Sequence, residues 1–598
     1  MASETIASGN IATFAVMVGG SAVPDELSVL SVHIEKRVNR IPVARIVILD
    51  GEPNTGTFPA SSSATFVPGA EVSIEAGYDS NNTVIFKGII TNQRIRIDSL
   101  VGSILEVECR DTAIKMIVGR KSLTYSNQKD SDIISSIIGT YSGLTSSVTA
   151  TGTQWPEQVQ YYVTDWDYIL ALAENNGLIV TAINGAVTVA APDASTTSVL
   201  TVTYGDDLLE FNADLNAVSQ LANVTTSTWD YTTQAVTTGQ ATPNVTGPGN
   251  LSTQTLSGVV GLSAYQLQTS APLQTADLTN WSKAQIIKSE YSKIQGEAKF
   301  QGTSLVDPAK YMTFAGLGDR FNGDYLISGV VHDLSDGNWI TEVSLGISPL
   351  WFTEEPDVMS PPASGLLPGA RGLFNGTVKQ MAQDPDSQYR ILVNVPLFDA
   401  NGAGIWARLT NFYSTNGAGV FFLPEVGDEV VLGFLNEDPR YPIILGSMYS
   451  STKLKPFTGL DPQDSNALKA IVSKSGIYIQ FDDENKVLTM TTPGKNTIIF
   501  SDKDKKISIL DENSNTIVMS DSGIAMNSNK DINITANQNL VLNGAQGVQI
   551  KSSGGDVQLN GLNIKETASM QYSAEGGQAA QVSGGMELTL KGAMVMIN

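Results

Sequence analysis

Two pairs of neighbouring carboxylates have the residue types and spacing for acid–base chemistry. Asp482 and Asp483 form one pair, and Asp428 and Glu429 form the other. Such chemistry needs two acidic groups whose environments hold them in different protonation states. Asp428 follows a glycine in a tight turn, where aspartate is favoured because it bonds to the backbone. We therefore interpret the pairs as turn residues and predict no catalytic residue.

Three further aspartates have a spacing that partly fits a calcium loop. Asp502, Asp504 and Asp511 are spaced loosely like the ligands of such a loop. They lack the full ligand series, with its central glycine and terminal glutamate. A solvated turn is the better interpretation, and we predict neither a metal site nor a cofactor.

The histidines and the cysteine exclude several kinds of site. His33 and His332 are the only histidines and lie far apart in the sequence, so a zinc site or a serine–histidine pair is not expected. Cys109 is the only cysteine, so an intrachain disulfide is excluded. The run around Cys109 alternates like a strand, and we predict that its thiol points inward.

Charge and hydropathy limit the partners. The 598 residues carry a net charge of −24, which argues against nucleic acid and against attraction to anionic lipid. The length predicts about three or four domains. The first residues lack the features of a signal peptide, and no run of about 18 apolar residues is present. We predict a protein made in the cytoplasm that leaves it, if at all, by an unconventional route.

An eight-residue repeat dominates the end of the chain. Its apolar positions are Ile524, Met526, Ile532, Ile534, Leu540, Leu542, Val548 and Ile550. Residues at i and i+2 face one side of a strand, and the Asn, Gly, Ser and Gln between them form turns. Because one narrow apolar strip is marginal alone, we predict an intertwined trimeric β-helix or prism. A solenoid or β-sandwich closed within one chain is the alternative.

We place this prism at residues 473–598, where strands about ten residues apart precede the octads. Residues 572–585 are rich in Gly, Ala and Gln and are predicted to break the octad. Residues 451–472 form a joint with no room for a domain, and Ser465 to Val472 could be one short helix.

The first part of the chain, residues 1–353, alternates between strands and a few helices. Strands separated by Gly, Asn and Pro turns predict a small barrel. Residues 232–275 are rich in Thr, Gln, Gly and Pro, and we predict a long surface excursion with little core. A proline-containing linker at residues 354–370 ends this part.

Residues 371–450 are predicted to form a compact barrel. Five strands in about 80 residues is the size of an OB-fold. OB-folds often bind nucleic acid, but this stretch has five basic and eight acidic residues. Its aromatic residues are not interleaved with Arg or Lys, so we exclude nucleic-acid binding here too.

A turn motif near the end of the barrel carries a family resemblance. It consists of a Leu-Pro, a Gly-Asp-Glu-Val run, an Asp-Pro turn and a Pro before a Gly-Ser strand. The residues are Leu423, Pro424, Gly427, Asp428, Glu429, Val430, Asp438, Pro439, Pro442 and Gly446. This motif resembles the VgrG-type spike proteins of contractile injection systems, which are akin to phage tail hub–spike proteins. Residues 373–378 are similar to the family's opening strand, and residues 162–177 and 321–332 look like hub elements.

The resemblance implies a homotrimer whose six small hub barrels match a hexameric inner tube of Hcp-like subunits. Baseplate proteins, effector cargo, a PAAR-like tip protein and transient contact with a target membrane are the other implied partners. Met594, Val595, Met596 and Ile597 would form an apolar end for the tip protein to cover, or would simply complete the prism core. We expect no inserted lysozyme domain, no toxin after the prism and no iron-binding histidines at its apex.

We therefore predict a mainly β protein with a hub, an OB-fold barrel and a trimeric prism. It would be the non-enzymatic central spike of a contractile injection system, nucleate the inner tube and puncture the target envelope. It would be assembled into the baseplate and then translocated or released. The alternatives are a trimeric receptor-binding fibre or adhesin and an envelope-degrading enzyme. The type of machine, the cargo and the target cell stay open.

Overall fold

The computed structural model describes residues 11–99, 102–230, 233–271, 273–354, 358, 362–365, 367–450 and 462–597. The chain forms two compact units, Met1–Met448 and Tyr449–Asn598, which are described separately. Strands predominate among the elements of both. Half of the predicted joint and part of the predicted linker lie outside the described residues.

The first unit begins with an antiparallel sheet that surrounds an apolar core. Its strands are β1 (Ala12–Val18), β2 (Ser21–Ala22), β3 (Val29–Arg37), β4 (Val43–Leu49), β5 (Glu71–Tyr78), β6 (Asn81–Asp98) and β7 (Gly102–Arg110). They pair in the order β3-β4-β7-β6-β5-β1-β2. Every second side chain is buried, as Ile34, Ile46 and Val107 show, because alternate residues of a strand face one side. Cys109 is fully buried in this core, as predicted, and burial raises the pKa of its thiol to about 12.

Two helices then pack against a small sheet. After a 3-10 helix at Thr112–Ile117, the elements are β8 (Lys121–Lys129), α1 (Asp130–Gly139), β9 (Thr145–Val148), β10 (Gln154–Val163), α2 (Asp165–Asn175), β11 (Ile179–Ile183) and β12 (Ala186–Ala190). Ile134, Ile169 and Val187 are fully buried between the helices and the sheet. Thr164 begins α2 by accepting a hydrogen bond from the Asp167 N–H, which satisfies an amide that has no partner inside the helix.

The rest of the hub extends the first sheet. Its elements are β13 (Thr201–Thr203), β14 (Leu208–Leu215), β15 (Val224–Asp230), β16 (Ala235–Ala241), α3 (Thr253–Ser257), β17 (Tyr265–Thr269), α4 (Thr275–Tyr291), β18 (Ile294–Gln301), β19 (Tyr311–Ala315), β20 (Gly323–Ser335) and β21 (Asn338–Leu345). The order β14-β18-β21-β20 continues into β3, and β19, which pairs with β20 and with β13, brings the sheet to 13 strands. Phe300, Phe314 and Tyr325 fill a second core on this side.

Residues 232–275 have little core, as predicted, because Leu256 is the one buried apolar side chain among their described residues. The segment is nevertheless ordered into β16, α3 and β17. β15 pairs with β16 and β17, and the resulting sheet packs on α4. The fully buried hydroxyl of Thr226 donates to the Leu278 carbonyl of α4 at 2.7 Å. A Cβ on Gly239 would lie 2.8 Å from Leu278 Cβ, so threonine and glycine, rather than large apolar residues, form the contact.

The predicted five-stranded barrel is present. Short 3-10 helices at Phe352–Glu354, Pro362–Gly365 and Leu435–Glu437 accompany β22 (Phe374–Gln380), β23 (Ile391–Asn394), β24 (Ile405–Leu409), β25 (Ser414–Thr415), β26 (Ala418–Gly419), β27 (Glu429–Phe434) and β28 (Pro442–Ser447). The closed order is β22-β23-β24-β28-β27. Val393, Leu432 and Ile444 are fully buried inside.

The second unit begins with a regular antiparallel meander. Its strands are β29 (Leu468–Val472), β30 (Tyr478–Asp482), β31 (Val487–Thr491), β32 (Thr497–Ser501), β33 (Lys506–Leu510), β34 (Thr516–Ser520) and β35 (Gly523–Asn527), each paired with the next. The predicted short helix at Ser465 to Val472 is wrong. Residues 468–472 form β29 because Ile471 and Val472 are β-branched and pair with Ile479 and Tyr478.

Beyond β35 the chain bends at regular intervals. Bends occur at residues 529–530, 537–538, 545–546, 553–555, 562, 569–570, 577–578, 585–586 and 593. The prediction that residues 572–585 break the octad is wrong for the backbone, because the bends keep their spacing there. What changes is the size of the side chains at the apolar positions, where Ala580 and Val582 replace larger residues. The irregular octad is instead the one that begins at residues 553–555.

Candidate functional site

The first part of the predicted barrel motif is a tight turn between β22 and β27. Gly427 has a φ of +95°, a conformation that glycine adopts without strain. The Asp428 carboxylate accepts a hydrogen bond from the Glu425 N–H at 2.8 Å. Val378 is bonded on both sides, since its N–H donates to Asp428 O and its carbonyl accepts from Gly427 N. The aspartate therefore shapes a turn, as the sequence indicates.

The second part is the Asp-Pro turn before β28. The Asp438 carboxylate is buried and accepts from the Arg440 backbone N–H at 3.0 Å and from its guanidinium at 2.7 Å. These bonds hold the pKa of Asp438 below its usual range. Pro439 follows, Pro442 begins β28, and Gly446 pairs with β27.

The remaining motif residues connect the turns to the barrel interior. Val430 is fully buried, and Leu423 packs against the same core. Pro424 is buried beside it. Glu429 begins β27 and accepts a hydrogen bond from the Asn375 side chain of β22 at 2.8 Å. The structure thus places the predicted motif in one part of the barrel, where it closes β27 and β28 against β22.

Replacing Gly376 of β22 with alanine is expected to destabilise the barrel. The added Cβ would lie 2.5 Å from Val393 Cγ1 and 2.7 Å from Leu432 Cδ1, and overpacking of this kind costs about 1–3 kcal/mol. Gly446→Ala is the matched control, because nothing lies within 4 Å of a Cβ there. Denaturant unfolding of both variants would measure the difference. Equal stability would contradict the assigned packing.

The meander of the second unit has one apolar face. Strand pairing aligns a first row of residues across all seven strands: Ile471, Ile479, Met490, Ile498, Ile509, Ile517 and Met526. A second row on the same face begins at Lys469 and continues with Phe481, Leu488, Phe500, Ile507, Met519 and Ile524. On the opposite face the central row is mixed and consists of Ala470, Gln480, Thr489, Ile499, Ser508, Val518 and Ala525. The sheet is a single layer, and large parts of Phe500 and Ile509 are exposed.

The first octad is β35, which pairs with β34, and the later octads repeat its apolar pattern without strand pairing among the described residues. The eight predicted prism residues, from Ile524 to Ile550, are each more than half exposed. Residues 528–597 form no strand pairs within the described chain. Extended backbone with open N–H and C=O groups pairs readily with another strand. This segment has both the hydrogen-bonding groups and the apolar strip for association with other chains.

The predicted tip residues lie at the end of the octads. Met594, Met596 and Ile597 are largely exposed, and Val595 is about half exposed. The structure places these four side chains together after the last bend, at residue 593. Their role as a docking surface stays a prediction.

The aspartates singled out in the second unit lie at strand ends and in turns of the meander. The Asp482 carboxylate accepts from Asn485, and the Asp511 carboxylate accepts from Asn513 and Asn515. These bonds hold the pKa of both aspartates below the usual range. Among the described residues no group of three or more His, Cys, Asp or Glu side chains could hold a metal ion.

The octad pattern in the sequence did not predict the apolar rows of the meander. The signal was present, because Ile477, Ile479 and Phe481 alternate with polar residues, as do Ile507 and Ile509. Only the strand pairing shows that such segments align into continuous rows.

The buried His332 of the hub is expected to make the stability of the hub sensitive to acid. Burial, and secondarily the nearby Lys36, lower the pKa of His332 far below its usual value. The unfolded chain takes up a proton near pH 6.5, while the folded hub does not. The contribution of His332 to stability is therefore present above that pH and is lost as the pH falls below it.

Denaturant unfolding at about pH 7.5 and about pH 5.5 would measure the pH-dependent contribution of His332 to the free energy of unfolding. Wild type should lose more stability on acidification than His332→Gln does. His33 is the matched control, because its hydrogen bond to Asp333 raises its pKa, so its contribution is lost as the pH rises. An equal loss in wild type and His332→Gln would contradict the assignment.

The matches to known protein families fall on two parts of the chain, the strand-rich first part and the barrel. Residues 8–336, more than half of the chain, match the family described as Alg8 N-terminal domain. Residues 374–449 match the type VI secretion system/phage-baseplate injector OB domain, which contains β22 to β28. None of the described helices is long and apolar enough to cross a membrane.

Similar proteins were found among spikes and tail proteins. The type VI secretion system spike protein VgrG3 of Vibrio cholerae serotype O1 is 31% identical over 81 residues, 13% of this chain and 8% of that protein. The actin cross-linking toxin VgrG1 of Vibrio cholerae serotype O1 is 38% identical over 53 residues, 9% of this chain and 5% of that protein. The chain thus spans only a small part of these relatives. The tail protein from Neisseria meningitidis MC58 has a TM-score of 0.43 and 16% identity, covering 58% of this chain and 99% of that chain.

The chain thus combines a β-rich first part, a closed barrel that matches an injector OB domain, and a repetitive β tail. It belongs to the Alg8 N-terminal domain family. Its barrel region is similar to the type VI secretion system/phage-baseplate injector OB domain, and short stretches of the chain are similar to VgrG spike proteins.

Proposed function

We propose that three copies of the chain assemble into an intertwined β-prism through the apolar rows of the meander and the octads. The observation that carries this proposal is the continuous apolar face of residues 468–527, whose two rows are apolar at every position except Lys469, whereas the opposite face mixes polar and apolar residues. Burying one Ile, Leu or Phe side chain contributes about 1.5–3 kcal/mol. Three such faces turned toward one axis would remove all of them from water and supply neighbours for the octad strands.

In this assembly residues 1–353 form the hub, residues 371–450 form the OB barrel and residues 473–598 form the prism. Residues 354–370 link hub and barrel, and residues 451–472 join barrel and prism. The hub contacts baseplate proteins and nucleates an inner tube of Hcp-like subunits. The chain is made in the cytoplasm, assembled into the baseplate and then translocated or released.

The prism punctures the target envelope when the machine contracts. Its end, at Met594 to Ile597, binds a PAAR-like tip protein through exposed apolar side chains. Effector cargo travels with the tip, and contact with the target membrane is transient. The protein acts by shape and rigidity rather than by catalysis, because the acidic groups of the meander, such as Asp482 and Asp511, are bonded within turns.

Tube assembly on the purified chain tests this function. Hexameric Hcp-like tube protein from the same organism, mixed with the full-length chain, should form tubes that carry the chain at one end in electron micrographs. The chain should also shorten the lag before tube growth. Tubes that grow at the same rate and with bare ends would contradict the hub role.

A further inference from the structure

We infer that residues 350–354, which follow the last hub strand, are a latch that anchors the exit of the chain from the hub. After β21 ends at Leu345, the Ile347 N–H donates to the Tyr291 carbonyl of α4. The chain then crosses α4 and α2. We call residues 350–354 the strap. Tension transmitted by the following linker would reach the strap before it reaches β21.

Two opposite charges hold the backbone of the strap. The ammonium of Lys288, on α4, donates to the Leu350 carbonyl at 2.6 Å. The carboxylate of Glu174, on α2, accepts from the Phe352 N–H at 2.7 Å. Lys288 and Glu174 also form an ion pair with each other, and their side chains are only 10% and 9% exposed. Each buried charge therefore bonds both the other charge and the strap.

The side chain of Trp351 adds a third attachment between these two bonds. Its Nε1–H donates to Gln285 of α4 at 2.7 Å. The Lys288 ammonium lies 5.2 Å from the centre of the Trp351 ring, within the range of a cation–π contact. The three attachments act on consecutive residues of the strap, so one strap position satisfies all of them.

Stability alone does not account for the ion pair. Replacing a buried pair by apolar residues of similar volume is often neutral or stabilising, whereas removing one partner leaves an uncompensated charge. Here the pair fixes a strap whose own carbonyl and amide point at opposite charges. Without it, tension on the linker would act directly on the end of β21.

Amide hydrogen exchange on the full-length protein tests the latch. In Lys288→Met and in Glu174→Gln, the amides of residues 350–354 should exchange roughly tenfold faster or more, because each change removes a charge-assisted bond. Lys299→Met is the matched control, since it breaks an exposed pair with Glu210 in the same hub, and it should leave the strap unchanged. Unchanged exchange of the strap in both latch variants would overturn the proposal.

A buried unpaired charge could disturb the whole hub, so a third variant tests the strap without creating one. Trp351→Ala removes the Gln285 bond and the ring contact without leaving a charge unpaired. It should speed exchange of residues 350–354 while β18 and β21 keep their protection, and wild-type exchange in the strap would overturn the latch. Only the claim that the linker transmits tension to the strap rests on the proposed spike function. A monomeric chain with a protected strap would refute that function and leave the latch standing.

Discussion

Replacing Ile498 and Ile509 together with aspartate is expected to convert the assembly into single chains. The two residues face each other across β32 and β33 in the middle of the first apolar row. In a prism of three chains the change would place six carboxylates in an apolar interior. An unpaired buried charge costs several kcal/mol, so the variant should elute as a monomer in size exclusion with light scattering.

The matched control uses the other face of the same two strands. Ile499 and Ser508 pair directly beside Ile498 and Ile509, and they point to the opposite side of the sheet. Ile499→Asp with Ser508→Asp adds the same charge to the same strands and should keep the mass of the wild type. If the two double variants behave alike, the face assigned to the interior is wrong.

Removing one whole octad, residues 539–546, is expected to leave the assembly intact. Removing only four residues, 539–542, should interrupt the prism at that point. After the longer deletion the bend at 537–538 still precedes an apolar pair by the usual spacing, because Val548 and Ile550 take the place of Leu540 and Leu542. The shorter deletion removes the two leucines and brings the bends at 537–538 and 545–546 close together. Each buried leucine lost from each chain costs about 2–5 kcal/mol.

Limited proteolysis with mass spectrometry would distinguish the two deletions. The eight-residue deletion should resist cleavage as wild type does and give a slightly shorter rod. The four-residue deletion should be cut near residue 538 and release the distal octads. Equal resistance of the two variants would show that the octad is not the structural unit.

The barrel could be predicted from the sequence because its signals are local. Gly427 and Asp428 specify one turn, and Asp438 bonds to Arg440 only two residues away. The strands between these turns carry apolar residues at every second position. Such signals depend on neighbouring residues rather than on distant parts of the chain, and the predicted barrel is confirmed.

Elements set by contacts distant in sequence could not be predicted in the same way. Thr226 is fully buried, and its hydroxyl bonds to Leu278 on a later helix. The strap depends on Glu174 and Phe352, which are far apart in the sequence. The octads are the exception, because the eight-residue repeat in the sequence predicts the eight-residue spacing of the bends.

The mass of the purified full-length chain in solution tests the central claim most directly. Size exclusion with light scattering should give three times the chain mass of 63.5 kDa, and a variant ending at Leu460 should lose most of this association. A stable full-length monomer at micromolar concentration would contradict the prism and the spike built on it.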